Sequence, residues 1–496
     1  MMQLHRRQFA IGPEQFCLND TWTTYALGDS LWLSTCPDLH AIKATDMDGQ
    51  DWYMLGHAVE ALQKKSSPES EIARTTSDRV PDLCASWAGR WVLVGNGHLY
   101  LDACGLLGCF YGKDFEHRLW ASSSAALLAQ LVSPTRSLPT DPRQLTYEVG
   151  IAWYTPPYSR FEGISRLLPS QVLELQSGKL QPKLLVPDIS LKRDYEDLLA
   201  EIQQVLLTTL KGLSEFSSQI WLGLTAGYDS RLMLALSQHA NIQVQPFTRL
   251  TLRMSVADRV LPPQLVKASD FTHTFVSNQK RYPDRIGLAE AHTAGHVSRG
   301  DAEPLIQGAR DRLRGISFGG HGFAIASGFS RLHALPERIV NTEETAKQIA
   351  KVFQEPADSS AVRGIQTWLN WTVSHPQPNL SWRDRFFLEQ RQAGWLSSKE
   401  QLYDLTDLVR FPVLNSAYLY SLILSIRERK RLGSKLQEDL IKRLSPELAK
   451  YPYNPGDAYF SLLEIFASKS KDLPGYVLSK LSKKVRWMWN SLTLRY

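Results

Sequence analysis

Cysteine is sparse in this chain, and the five present, Cys17, Cys36, Cys84, Cys104 and Cys109, form no C-x-x-C pair and no even-numbered framework. That argues against a thiolate zinc site and a disulfide-stapled secreted scaffold, and suits a reducing compartment. No run of about 18 apolar residues occurs, and the start MMQLHRRQFAIG lacks the apolar segment of a secretory leader, so a cytoplasmic protein is expected. Charge of one sign is scarce too. The 56 Lys and Arg against 50 Asp and Glu leave a formal +6 over 496 residues, too little to imply a nucleic-acid partner. Also missing are the G-x-x-x-x-G-K-[ST] loop and the G-x-G-x-x-G fingerprint.

What the chain does have is length and pattern. Its 43% apolar and 21% charged residues are an ordinary globular composition, and 496 positions are enough for two domains. Between about 85 and 112, W-V-L-V and H-L-Y-L flank Gly95-Asn96-Gly97 and predict a β-hairpin. A second hairpin is expected around Ser177-Gly178, and a helix near SSSAALLAQLV. The pattern changes near 185–195, after which Leu198, Leu199, Ile202, Val205, Leu206, Leu210 and Leu213 recur at helical spacing. Then IWLGL, SRLMLALSQ, IQVQPFT, PPQLVKA and HTFVS alternate strand and helix, the signature of an α/β domain with a parallel sheet. From about 335 onward TAKQIAKVFQE, SWRDRFFLEQRQAGW and NSAYLYSLILSIRERKRL read as helices added to that core.

One stretch carries chemistry: Ile220 to Leu236, IWLGLTAGYDSRLMLAL, sets T-A-G-Y-D-S between two apolar runs. Ile220 to Leu224 suits a buried strand, and Asp229 or Ser230 suits the N-cap of a helix starting at Arg231. Thr225 to Asp229 then form a strand-to-helix loop. Its N–H groups, with Gly227 permitting close approach, suit a phosphate or pyrophosphate. Arg231 adds a cation, while Asp229 would repel a bare anion and so points to a Mg²⁺-nucleotide. The bland alternative is a helix cap of the kind any α/β protein carries.

T-A-G-Y-D-S-R resembles the S-G-G-x-D-S pyrophosphate loop of the asparagine synthetase superfamily, with Thr225 for serine, Ala226 for the first glycine, and Gly227, Asp229 and Ser230 retained. VQPFT follows at the expected distance, and Ser255-Val-Ala-Asp258 resembles the family's acidic segment. The order of parts, from G-R-W-V-L-V through L-Y-L-D-A-C-G-L-L-G-C-F-Y-G and SRLLPSQVLELQSGKL to the loop, is similar to about residue 455. The resemblance implies a degenerate Ntn-type, glutaminase-like α+β sandwich over 1–185. It implies a parallel-sheet PP-loop synthetase domain, of the adenine nucleotide alpha hydrolase type with added helices, over 193–470. It further implies ATP and Mg²⁺, a carboxylate-bearing substrate activated as an acyl-adenylate with loss of pyrophosphate, and an amine that attacks to form an amide. Thr225, Ala226, Gly227 and Ser230 would cradle pyrophosphate and Asp229 would hold Mg²⁺. Leu224, Arg231, Phe247, Gly320 and Gly322 would complete the nucleotide site.

The chain departs from the family in three places. Glutamine-dependent members use a cysteine at the start of the mature chain as nucleophile. Met1-Met2-Gln3 stand here, so the first domain is expected to be an inactive remnant. The family's later loop, G-x-G-[GSA]-[DE], completes the metal site. In ISFGGHGFAIASGFSR, Gly320, Gly322, Gly328 and Arg331 fit, but Phe323 and Ala324 stand where a small residue and the carboxylate belong. His321 in that loop is a candidate base or hydrogen-bond donor to a phosphate, or simply a hydrogen-bonded loop histidine. The family's late lysine has its nearest counterpart in Lys450. RFPVLNSAYLYSLI resembles the family's P-F-L-D helix start, where Pro412 is expected to open the helix and Asn415 to cap it.

Two functions stay open. One is an ATP-dependent, glutamine-independent amide- or peptide-bond-forming ligase, tailoring a natural product or surface polysaccharide. The other is a catalytically impaired relative acting as a nucleotide-binding or assembly partner. Over 471–496, Val477, Leu478, Leu481, Val485, Met488 and Leu492 oppose Lys480, Lys483, Lys484 and Arg486 in a basic amphipathic helix. Docking on its own domain is the first reading of that helix, and contact with an anionic membrane the second.

Overall fold

In the computed structural model, which describes residues 2–460 other than 29, 64, 65, 144, 146–149, 252, 253, 278–280 and 327–329, antiparallel sheets come first and a parallel sheet follows. The basic helix expected over 471–496, and Gly328, lie outside the described residues.

The strands of the first half are β1 (Phe9–Gly12), β2 (Thr23–Ala26), β3 (Trp32–Thr35), β4 (Ala41–Thr45), β5 (Asp51–Glu60), β6 (Trp87–Gly95), β7 (His98–Leu101), β8 (Phe110–Lys113), β9 (Leu119–Ser122), β10 (Ser165–Arg166), β11 (Gln171–Glu174) and β12 (Leu180–Pro182). They make two six-stranded sheets, ordered β10-β8-β9-β1-β3-β2 and β12-β11-β7-β6-β5-β4. Phe9, Ile11 and Leu33 of one sheet meet Leu55, Val92, Val94 and Leu99 of the other, so the inner faces share one apolar core. Outside, Phe110 and Trp120 lie under the helix Ala125–Val132, and Trp52, Trp87 and Trp91 under Pro68–Ile72 and Val80–Leu83. The layers therefore run helix, sheet, sheet, helix. Gly95 pairs with His98 across Asn96 (φ 48°) and Gly97 (φ 73°), a two-residue turn of the hand that matches strand twist.

The helix α1 (Tyr195–Phe216), capped by Asp194, buries all seven apolar residues read at helical spacing. After it come β13 (Ile220–Gly223), α2 (Tyr228–His239), β14 (Gln245–Arg249), α3 (Val256–Lys267), β15 (Thr274–Val276), β16 (Gly315–Phe318) and β17 (Leu408–Arg410). These strands pair in parallel in the order β15-β14-β13-β16-β17. The order reverses between β13 and β16, which is where open α/β sheets part their loops and leave a crevice. The three-residue β17 falls in a stretch that reads as helical; only its pairing with β16 makes it a strand.

The two halves meet through packing and polar contacts. Ile151, Trp153 and Leu168 share a core with Ile349, Ile365 and Trp368 of the helices Thr342–Phe353 and Ser360–Ser374. Asn415, expected as a helix cap, instead reaches across the seam: its Nδ2 donates to the Gly89 carbonyl and to Asp102 Oδ1, each at 2.6 Å. The cap is Ser416, which opens the helix Ala417–Ser425 and accepts from Leu419 N–H. Among the described residues no helix is long and apolar enough to cross a membrane.

Candidate functional site

The loop after β13 is shorter than the sequence suggests. α2 starts at Tyr228 with Gly227 as N-cap, not at Arg231, so Asp229 and Ser230 sit inside the first turn. Ser230 Oγ accepts from the Thr225 N–H at 3.0 Å and lies 2.9 Å from Thr225 Oγ1, closing the turn on itself. Behind it, Leu224 N–H donates to the Phe247 carbonyl at 2.8 Å and Thr248 Oγ1 to the Leu224 carbonyl at 2.8 Å, which holds the ends of β13 and β14 level. The first-turn N–H groups of α2 have no intrahelical acceptor, and the helix dipole makes that end electropositive.

Two carboxylates abut this loop. Asp258, near the start of α3, accepts from the Ala226 N–H at 2.8 Å. Asp229 accepts at 3.1 Å from Gln437 Nε2, on the helix α4 (Lys435–Leu444). Burial pushes the Asp229 carboxyl above its ordinary value, against the pull of the Gln437 hydrogen bond.

The loop after β16 packs directly on Asp229. A Cβ on Gly320 would stand 2.3 Å from Asp229 Cβ, so only glycine allows the approach. Gly322 has φ 107° and opens the short turn Phe323–Ile325, in which Phe323 and Ile325 are buried and Ala324 is exposed. That turn thus brings no carboxylate to Asp229. Among the described residues no group of three or more His, Cys, Asp or Glu is placed to hold a metal. His321 is exposed and faces Arg410, Glu400, Lys399 and Arg310. Desolvation inside the crevice first, and then the facing Arg410, lower its pKa.

Arg231, expected beside the phosphate, is fully buried and turned the other way. Its guanidinium donates to the carbonyls of Ala226 (2.9 Å), Pro452 (2.7 Å), Tyr451 (2.7 Å) and Leu448 (3.4 Å), and stacks 4.0 Å over the Tyr453 ring. It lashes a distant segment onto the loop. Tyr453 stacks on Tyr228 with centroids 4.0 Å apart, and Asn454 N–H donates to the Ala226 carbonyl at 3.3 Å. Lys450, in the same segment, points its exposed ammonium at Glu447, 2.5 Å away.

The structure thus gathers Leu224, Thr225, Ala226, Gly227, Asp229, Ser230, Phe247 and Gly320 at one crevice, with His321 and Gly322 in its second loop, and leaves Lys450 on the surface. Sequence reasoning missed Gln437, Tyr453, Asn454 and Arg310. Gln437 alone had a signal: it is buried beside Leu436, Leu440 and Ile441, a polar residue in an apolar helical stripe. The amino-acid sequence matches no family model and no curated protein.

Proposed function

We propose that the chain is an ATP-dependent, glutamine-independent carbon–nitrogen ligase of the asparagine synthetase type. On this reading the first half is a glutaminase-like Ntn sandwich and the second a PP-loop synthetase domain. A substrate carboxylate is activated as its acyl-adenylate with release of pyrophosphate, and an amine then displaces AMP to form the amide. What supports the reading is the meeting of two loops at the sheet's switch point, where T-A-G-Y-D-S turns into α2 and Gly320 rests on Asp229.

The residues suit the task. The exposed Thr225 hydroxyl and the first-turn N–H groups of Tyr228, Asp229 and Ser230 offer donors to phosphate oxygens. Asp229, half-buried with its pKa raised, gains from a neighbouring cation, and Asp258 brings a second carboxylate to the same loop. Nucleotide phosphates supply most ligands of Mg²⁺ in such sites, so one or two protein carboxylates suffice. Bound there, Mg²⁺ would neutralise the charge of the phosphates. The chain's own share is positioning: the clamp of Arg231 and the Tyr228–Tyr453 stack fix the loop before substrate arrives.

The test is pyrophosphate release from ATP and Mg²⁺ across a panel of carboxylates and amines. Asp229→Ala is expected to lower the rate by about 100-fold or more, with the fold retained by circular dichroism. An unchanged rate would sink the reading. A second reading, a nucleotide-binding or assembly partner, is favoured by the exposed Ala324 and by Asp258 already holding the Ala226 N–H. Tight Mg²⁺-ATP binding with no pyrophosphate release from any pair would select it.

A further inference from the structure

Beside the nucleotide crevice, one face of the parallel sheet collects cations. Arg249 ends β14 and Arg410 ends β17, while Arg310 comes in from the segment before β16 and Lys399 from the helix Ser397–Tyr403. Two carboxylates answer these four: Glu400 takes Arg410 at 2.6 Å, and Asp301 takes Lys399 at 3.0 Å. Arg249 and Arg310 have no ion-pair partner among the described residues.

Arg310 is the more telling. Its guanidinium lies 4.6 Å from the Tyr403 ring centroid and 5.8 Å from that of Phe247. Its Nε and Nη1 are buried and have no hydrogen-bond partner among the described residues. Folded proteins pair most buried donors of charged groups, and the chemical complement of this pair is an oxyanion. Tyr403 reports the same field. Burial pushes its hydroxyl up, yet Arg310, Lys399, Arg410 and Arg249 together bring it below a phenol's ordinary value. The pocket adjoins the crevice: Phe247 flanks Gly223 at the end of β13, and Arg310 is among the charges facing His321.

We propose that Arg310, supported by Arg249, binds a carboxylate of the substrate on the sheet face beside the nucleotide loop, anchoring an acid group other than the one activated. The assignment of that carboxylate to the substrate rests on the ligase reading; the pocket itself rests on the unpartnered guanidinium. The chain would then select substrates that carry at least two acid groups. Arg249 and Arg310 would be specificity residues, and the stacking of Arg310 over Tyr403 would fix the direction of its donors.

The experiment is calorimetric titration of the full-length protein with citrate, and separately with pyrophosphate and Mg²⁺, in chloride-poor buffer. Wild type, Arg310→Met, Arg310→Lys, Arg249→Met and Asp229→Ala are compared. Citrate affinity is expected to fall about tenfold or more in Arg310→Met. It should recover in part in Arg310→Lys, drop less in Arg249→Met, and hold in Asp229→Ala. Pyrophosphate should show the reverse pattern, weakened by Asp229→Ala and indifferent to Arg310→Met. Wild type that takes no citrate, or Arg310→Met that takes it as well as wild type does, overturns the pocket. Pyrophosphate loss in Arg310→Met assigns the guanidinium to nucleotide phosphate and overturns the substrate carboxylate. Citrate bound through Arg310 with no binding of pyrophosphate or ATP by wild type supports the pocket and sinks the ligase reading alone.

Discussion

Two arginines, one buried and one half-buried with Nε and Nη1 shut off from solvent, live in opposite circumstances. Arg90, at the seam between the halves, gives Nη1 and Nη2 to Asp404 at 2.6 and 2.8 Å and Nε to the Leu106 carbonyl at 3.0 Å. Arg310, in the cleft, keeps Nε and Nη1 buried with no acceptor among the described residues. Asp102 in the same seam is also satisfied: fully buried, it accepts from Asn415 and from the backbone of Trp91, Cys104, Leu106 and Leu107. Polar burial that completes itself fixes how two bodies sit. Polar burial left incomplete awaits a third party.

The comparison breaks most sharply at Asp404. Asp404→Ala strands Arg90 in the seam and removes one of the two acceptors of Gln8 Nε2 as well. A loss of about 3–5 kcal/mol in unfolding free energy is expected, measured by denaturant titration. Asp404→Leu combined with Arg90→Met should recover most of it, because two apolar groups of similar size leave no charge uncompensated. Arg310→Met, by contrast, removes a charge that has no internal partner to orphan and should leave stability close to wild type. A large loss there would make Arg310 a seam residue like Arg90.

The seam also carries a pH signature of its own. His292 Nδ1 accepts from the His5 N–H at 3.1 Å while its Nε2–H donates to the Gln401 carbonyl at 3.0 Å, which uses both nitrogens in the neutral form. Burial first, then Arg90, brings its pKa down to about 4, and burial and His292 bring His5 to about 4. A histidine depressed in the fold stabilises it above the unfolded value of 6.5 and loses that contribution as pH falls towards the folded value. Stability should therefore drop by about 1.4 kcal/mol per pH unit per histidine between 6.5 and 4. His292→Asn should flatten the slope by about one proton, read from unfolding free energies at several pH values. An unaltered slope would place the titration elsewhere.

The two regions differ as much in legibility. The hairpin at Gly95-Asn96-Gly97 and the α1 stripe are local patterns, and each formed where local chemistry put it. The loop at Thr225 was found by composition, but its details depended on distant partners. Arg231 resembles a phosphate cation in the sequence because three of its four acceptors lie some 220 residues away, on a segment that nothing local connects to it. The helix start moved to Tyr228 because Ser230 folds back on Thr225 instead of capping. Asn415 bridges to Gly89 and Asp102 for the same reason: seam contacts of more than 300 residues' separation carry no periodicity. Arg310 had no signal at all, since an unpartnered donor is defined only by everything that packs around it.

Lys450 marks the small end of the scale and tests the contrast from the surface. Its place resembles that of a lysine that serves the chemistry of asparagine synthetase-type enzymes, and it does lie in the segment that Arg231 ties to the loop. Its ammonium, however, is exposed and already faces Glu447 at 2.5 Å, the kind of pair that solvent screens and that fixes little. An exposed cation with a local partner has neither the desolvation that strengthens charge stabilisation nor a free donor to offer. Lys450→Ala is expected to leave unfolding free energy and pyrophosphate release within error of wild type, while Arg310→Met lowers affinity for the acidic substrate and not for Mg²⁺-ATP. A rate loss in Lys450→Ala with binding intact would mean that the segment 448–454 turns its lysine inward when both substrates are bound, and the late cation of the chemistry would then be Lys450 after all.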